Sequence, residues 1–318
     1  MATGDADNAD NTGGFDPSAL CGWRPTPEAE LARWSRVYQP WEYSPEYEQA
    51  IKRTVAWEVL EQVGGAGFYR LNQVDGDCVA WGATKAMMAT MAWEIVRLGQ
   101  SEEFHHLHPS YTYGVSRNAP EGGNGEWKRW PPDRAGNRAG SLGSWVAATI
   151  VHGVLRSDYV GVPAYSEKIS REWGEGRGYD QFVSEAVKRP FKSATRIRSG
   201  DELVQAICNG YFCSIAGNRE FSNQLTARGG KGWYGRGNRY PHQTSIHGYD
   251  DQPEPCVYDS NQWPGHATGQ TDGPNGGGWR TLEYVDRELR SGDVECFAFS
   301  QFDGFPAEDQ KPDFSVGA

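Results

Sequence analysis

Nothing in the chain comes near the run of about 18 uncharged apolar residues that a membrane-spanning helix needs, and the mean hydropathy is −0.70. No membrane partner is expected. Basic residues are also scarce: 31 Lys and Arg stand against 42 Asp and Glu, and a net charge of −11 repels a polyanion, so no nucleic-acid partner is expected. The six cysteines (Cys21, Cys78, Cys208, Cys213, Cys256, Cys296) include no Cys-x-x-Cys pair and no histidine at zinc-ligand spacing, so neither a metal nor a cofactor is expected. Their scatter reads as buried free thiols of a reducing compartment rather than as a disulfide framework. Met1 to Phe15 lacks both a basic start and an apolar stretch, so no signal peptide is read; the expected setting is cytoplasmic or virion-associated. No internal repeat is found.

What is present is a chain of 318 residues, long enough to bury a large core, with 40 Gly and 13 Trp that point to many loops and aromatic packing. Residues 1–70 read as an N-terminal extension. A polar, acidic arm runs to Ser18, and helices are expected after Thr26-Pro27-Glu28 and Ser44-Pro45-Glu46, each a cap, a first-turn proline and a carboxylate that suits the helix dipole. Tyr47, Ile51, Val55 and Val59 recur every four residues along the second, and Gly64-Gly65 stops it. A stronger helix is expected from the cap Asp77 to Leu98, with Met87, Met91, Ile95 and Leu98 on one stripe and Gly99 as terminator. Ser144 to Leu155 reads as a third apolar helix, and Ser199-Gly200-Asp201-Glu202 as a capping box that opens a fourth. Strand signals follow at Tyr211 to Ala216, Gln243 to Tyr249, Pro255 to Asp259 and Val294 to Ser300. Helices before strands predict an α+β protein in two halves.

A cysteine in the first turn of a helix sits beside unpaired N–H groups that favour the thiolate, which makes Cys78 a candidate nucleophile; alone it would read as a small buried hydrophobe. A thiolate nucleophile needs an imidazole, a group to hold the ring and a donor for the oxyanion. Asn72-Gln73-Val74-Asp75-Gly76-Asp77-Cys78-Val79-Ala80-Trp81 resembles the active-site segment of papain-like cysteine peptidases, in which a Gln precedes a Gly-x-Cys turn into the central helix. His242 to Tyr249 resembles their His segment, with His242 six residues before Gly248-Tyr249, and Asp259-Ser260-Asn261-Gln262-Trp263 resembles their Asn-Ser-Trp segment. Leu107 to Tyr111 and Gly140 to Trp145 are similar to two further segments of the family, the latter lining its substrate cleft. The sequence departs from the pattern in places: Gln73 lies five residues before Cys78 rather than six, Val79 stands for an aromatic, Gln262 for a serine, and Pro264 interrupts the step after Trp263.

The resemblance implies a two-lobed fold over residues 71–300, a helical lobe (71–195) carrying the nucleophile helix against a β-rich, antiparallel, barrel-like lobe (196–300), with 301–318 as a tail. It implies Cys78 as nucleophile, His242 as base, Asn261 as the group that orients it, Trp263 as its shield, Gln73 as oxyanion donor, and Ser141, Leu142 and Gly143 as substrate-binding residues. His247 competes with His242 for the base role, but strand alternation puts the two on opposite faces and predicts a half-buried ring with a backbone partner for His247. His105, His106 and His108 read as solvated loop histidines, and the basic segment Arg219 to Arg239 as a solvated loop or a contact for acidic substrate. The implied function is thiol-dependent hydrolysis of a peptide or protein substrate, with the extension acting as a propeptide or docking to an assembly partner. A silent papain-like module of a larger assembly such as a virion, or a transferase or amidase on the same fold, is the alternative.

Overall fold

The computed structural model describes residues 17–27, 52–65, 67–99, 103–132, 136, 138–222, 224–263 and 270–302. Its strands are β1 (Trp23–Arg24), β2 (Arg53–Val55), β3 (Ser141–Leu142), β4 (Phe191–Ile197), β5 (Cys213–Phe221), β6 (Leu225–Arg228), β7 (Lys231–Tyr234), β8 (Asn238–Asp250), β9 (Cys256–Ser260), β10 (Gly277–Thr281) and β11 (Val294–Phe302). Its α-helices are α1 (Trp57–Gly64), α2 (Cys78–Arg97), α3 (Pro109–Asn118), α4 (Thr149–His152), α5 (Glu167–Gly174), α6 (Val183–Ala186), α7 (Gly200–Cys208) and α8 (Leu282–Ser291).

The segment after Asp77 forms the long helix α2 because Ala80, Ala83, Ala86, Ala89 and Ala92 give it high propensity and a slim profile. That profile lets α2 lie inside the molecule, buried on nearly all sides from Cys78 to Ala92. Gly82 sets the closest approach: a Cβ there would stand 2.9 Å from the Thr244 carbonyl oxygen and from Gln243 Cγ, so the helix meets β8 at that point. Beneath it runs a nine-stranded sheet in the order β4-β11-β5-β8-β9-β10-β7-β6, with β2 added to β8. The pairs are antiparallel except β10 with β7. The main core joins Met87 and Met91 of α2 to Val204 and Ile207 of α7, and to Ile215, Ile246 and Phe297 of the sheet.

The mixed α+β architecture agrees with the sequence reading, and several details differ. The sheet path is open at β4 and β6, not closed into a barrel. Ser144 to Leu155 is not one helix: residues Gly143–Ala148 wind as a 3-10 helix and only Thr149–His152 as α. Gly153, at φ 66° and with Ala186 O 1.8 Å from where a Cβ would be, ends it early. Val55 lies in β2, paired with Gly248, not on a helix with Val59. Residues 53–64, grouped with the extension on sequence grounds, therefore pair and pack with the main body; the expected helices after Glu28 and from Ser44, and the tail beyond Phe302, lie outside the described residues. His108 is 1% exposed and its Nε2–H donates to Pro163 O at 3.0 Å, so it is no solvated loop residue. The segment Arg219 to Arg239 is not a loop either. It supplies β6, β7 and the ends of β5 and β8, and Arg219 is wholly buried, with ion pairs to Asp259 (3.0 Å) and Glu288 (3.2 Å).

Lys85, in the middle of α2, is 0% exposed, and its Nζ has no hydrogen-bond partner among the described residues. The nearest aromatic face is Tyr69, 5.8 Å away. Burial pulls this amine down to about 7 from 10.5. Between those two pH values the unfolded chain holds a proton that the folded chain lacks, so this group makes stability rise with pH across that window; below it both states are protonated. Lys85→Met is expected to raise stability at pH 7 by about 1–3 kcal/mol and to remove that rise. Thermal unfolding of both proteins at pH 7 and 9 checks this; the same pH response in both would refute it.

Candidate active site

Asp77 occupies the N-cap position of α2, but its carboxylate does not cap the helix. It turns into the interior, where it accepts from Ser170 Oγ (2.6 Å) and Tyr165 Oη (3.1 Å). Burial, then the neighbouring Asp75, pushes its pKa up to about 8, so it is largely protonated at neutral pH. The sequence showed an ordinary cap here, because a cap and a buried strut use the same residue.

Cys78 follows as the first helical residue, a free thiol with 0% exposure. The Gly22 N–H donates to its Sγ at 3.2 Å. Burial pushes the thiol up to about 12, against the pull of the backbone N–H groups of Gly22, Gln243 and Trp23. The helix position alone predicts a reactive thiolate; in this state the exclusion of water outweighs the dipole and the thiol stays neutral. The Gln243 contact puts the sulfur against the strand residue that follows His242.

On β8, His242 is buried, and its Nε2 lies 3.1 Å from Asn261 Oδ1. The Trp263 N–H donates to the same Asn261 atom at 3.2 Å, so that atom is the carbonyl oxygen and Nε2 must carry the proton. Nδ1 is then the basic nitrogen of the neutral ring. Trp263 stacks on His242 with 4.4 Å between ring centres and 28° between planes, and is 2% exposed, so the His242–Asn261 bond is kept from water. Asn261, His242 and Trp263 are thus brought together. His247 is instead wholly buried, with Nδ1 2.8 Å from Tyr69 Oη, a side-chain rather than a backbone partner. Burial and the nearby Lys85 hold it well below the usual imidazole range.

Gln73 is 1% exposed and aims its amide at the same region. Its Nε2 donates to Leu20 O at 2.7 Å and also to Asp75 O. Gly22, which donates to Cys78, and Leu20, which accepts from Gln73, belong to one segment, 20–26, which sequence reasoning did not assign to the site. This strap lies along the expected cleft residues: β1 pairs in parallel with β3, Trp23 opposite Ser141 and Arg24 opposite Leu142, and the Ser141 N–H donates to Gly22 O at 2.8 Å. Gly22 has no room for a side chain, since a Cβ would stand 2.1 Å from Gly76 O and 2.8 Å from Gly140 Cα. That lone glycine before Trp23 was the only sequence signal. At the far end, Thr26 donates through N and Oγ1 to the two oxygens of Glu295 at 2.6 and 2.7 Å, and Glu295 Oε2 lies 2.4 Å from where a Cβ of Gly143 would be. Thr26 is therefore a latch onto β11, its side chain engaged with the Glu295 carboxylate. Among the described residues, no group of three His, Cys, Asp or Glu side chains could hold a metal ion.

No family model matches the sequence, and no curated protein matches it in sequence. Solved structures do match in shape. Xylellain, a cysteine protease from Xylella fastidiosa, is 14% identical with a TM-score of 0.57, covering 89% of this chain and 97% of its own. The proform of a cathepsin B from Trypanosoma congolense is 10% identical with a TM-score of 0.54, covering 89% and 88%. The digestive procathepsin L 3 of Tenebrio molitor larval midgut is 13% identical with a TM-score of 0.51, covering 89% and 77%. With a long helix set on an open antiparallel sheet, and these neighbours in shape, the chain has the fold of the papain-like cysteine peptidases.

Proposed function

We propose that the chain is a thiol-dependent peptide-bond hydrolase, held latent by residues 20–26 lying over its own nucleophile. One observation carries the reading: Asn261 Oδ1 accepts from both His242 Nε2 and Trp263 N, which fixes the ring with Nδ1 as its base. In the reaction the Cys78 thiol passes its proton to His242 Nδ1, and the thiolate attacks the scissile carbonyl carbon. Gln73 Nε2 and the Cys78 N–H receive the developing oxyanion. The His242 imidazolium then gives its proton to the departing amine, leaving a thioester. Water, deprotonated by His242, attacks the thioester and releases the acid and the thiol. Asn261 holds the ring in position through both half-reactions, and Ser141 to Gly143 offer backbone groups to an extended peptide.

The strap blocks this sequence at two points. It keeps water from Cys78, and it places Leu20 O on Gln73, the donor that an acyl oxygen would use. The N-terminal extension is accordingly read as an inhibitory segment rather than as a docking arm for an assembly. A second reading, a silent papain-like module, is favoured by one observation, the neutral and fully buried thiol. The two part on what happens when the strap leaves.

Gly22→Val cannot keep the strap seated against Gly76 and Gly140. In the full chain it is expected to speed labelling of Cys78 by a thiol-directed epoxide at least about tenfold, read by mass spectrometry with circular dichroism as the check on folding. Labelling that stays slow in the folded variant would favour the silent module. Cys78→Ala is expected to abolish peptide hydrolysis with the fold intact, since a small residue fits the same space, and His242→Ala to lower kcat by about 10²–10⁴-fold. Full activity in Cys78→Ala, assayed on the Gly22→Val background, would sink the mechanism.

A further inference from the structure

A second concavity lies on the β-rich half, outside the groove that holds the strap. It has a volume of about 420 Å³ and is walled by the end of β7, by β10 and by the first turns of α8. Three of its lining residues are arginines, Arg236, Arg280 and Arg287, against one carboxylate, Glu220. One oxygen of that carboxylate already accepts from the Gly237 N–H at 2.7 Å. In a chain of net charge −11, this is a local reversal of sign.

Arg280 is fixed in place: it is 4% exposed, its Nε donates to Asp259 Oδ2 at 2.7 Å, and its guanidinium lies 4.2 Å from the centre of the Tyr234 ring. Arg236 and Arg287 are exposed, and Arg287 lies 5.6 Å from the centre of the Tyr284 ring. The Tyr284 hydroxyl oxygen is out of solvent contact and has no hydrogen-bond partner among the described residues. The lining therefore combines guanidinium forks, which match a carboxylate with two parallel hydrogen bonds, and aromatic faces on which aliphatic stems can pack. One ring joins the pocket to the candidate active site: Phe221 meets Tyr234 at 5.6 Å, and also His242 at 5.6 Å and Trp263 at 5.2 Å.

We propose that this pocket is an exosite that takes acidic side chains of a polypeptide. The choice of a polypeptide as carrier rests on the hydrolase reading, because what would reach a pocket one ring from His242 is then a protein substrate. The electrostatic case is independent of it. Two of the arginines, Arg236 and Arg287, stand free enough of the core to be exchanged without disturbing Arg280, which also serves the buried pair with Asp259.

The test uses the full chain carrying Cys78→Ala, so that binding is read without turnover and failure of the exosite is distinguishable from failure of the hydrolase. Fluorescein-labelled hexaglutamate is titrated in and its anisotropy followed, with hexaglutamine as the uncharged control. Saturable binding of hexaglutamate that weakens as salt is raised is expected. Replacing Arg236→Glu and Arg287→Glu together should raise Kd roughly tenfold or more at an unchanged thermal midpoint. Hexaglutamine binding as tightly as hexaglutamate, absence of saturable binding, or full binding by the charge-reversed protein would each overturn the proposal.

Discussion

The geometry of the candidate site depends on the side chain and backbone of Gln262. Its Nε2 donates to Gln243 O at 2.6 Å and reaches Cys78 O at 3.4 Å, while its own carbonyl accepts from the Gln73 N–H at 2.9 Å. One residue thus ties together the strand of His242, the first turn of α2 and the loop of Gln73. Gln243 adds a second tie from the strand side, donating through Nε2 to Val79 O at 2.8 Å. Both glutamines are buried, so these amides work where water cannot compete for the same groups. The neighbours Asn261 and Trp263 hold the imidazole from the same short segment, so ring, thiol and the Gln73 loop are positioned from one place.

Below this junction the interior is unusually polar. Asp259, two residues before Asn261, is paired with Arg219 and Arg280, which hold its carboxyl below the usual range against the opposing effect of burial. Arg219 also donates to Thr244 Oγ1 at 2.9 Å, so the network spans β5, β8, β9 and β10. Paired charges of this kind are costly to break one partner at a time, which makes them a means of fixing strand register rather than a source of net stability. The strand that carries His242 is consequently held from both faces, by α2 above and by ion pairs below.

How much of this was legible in the sequence differs by level. The helix α2 could be read because the N-cap position, the stripe through Met87, Met91, Ile95 and Leu98, and the following Gly99 agree locally. That His242, Asn261 and Trp263 come together could be read because two short segments, 242–249 and 259–263, carry the spacing of the resemblance. Gln262 was legible only as a departure from a serine, since its role needs three partners that are 19 to 189 positions away in the chain. The helix expected over Ser144 to Leu155 failed for a related reason: its apolar residues are buried by tertiary contacts, and periodicity alone does not distinguish an α-helix from a 3-10 turn in that setting. The strap was missed because Leu20 to Thr26 has no periodicity. Its conformation comes from pairing with β3 and from Glu295, both distant in sequence. Arg219 was misjudged because a buried arginine and a solvated one look identical until their carboxylates are located.

The direction in which the strap runs has a chemical consequence. At Gly22 it turns the nitrogen edge of a peptide group toward Cys78, so the sulfur lone pair accepts a hydrogen bond instead of meeting an electrophilic carbon. A peptide group seated with that polarity covers the thiol without presenting a carbonyl carbon to it. Survival of the segment in its own groove would then follow from chain orientation rather than from any resistance of its side chains, and scission at this point would first require the backbone to be turned end for end.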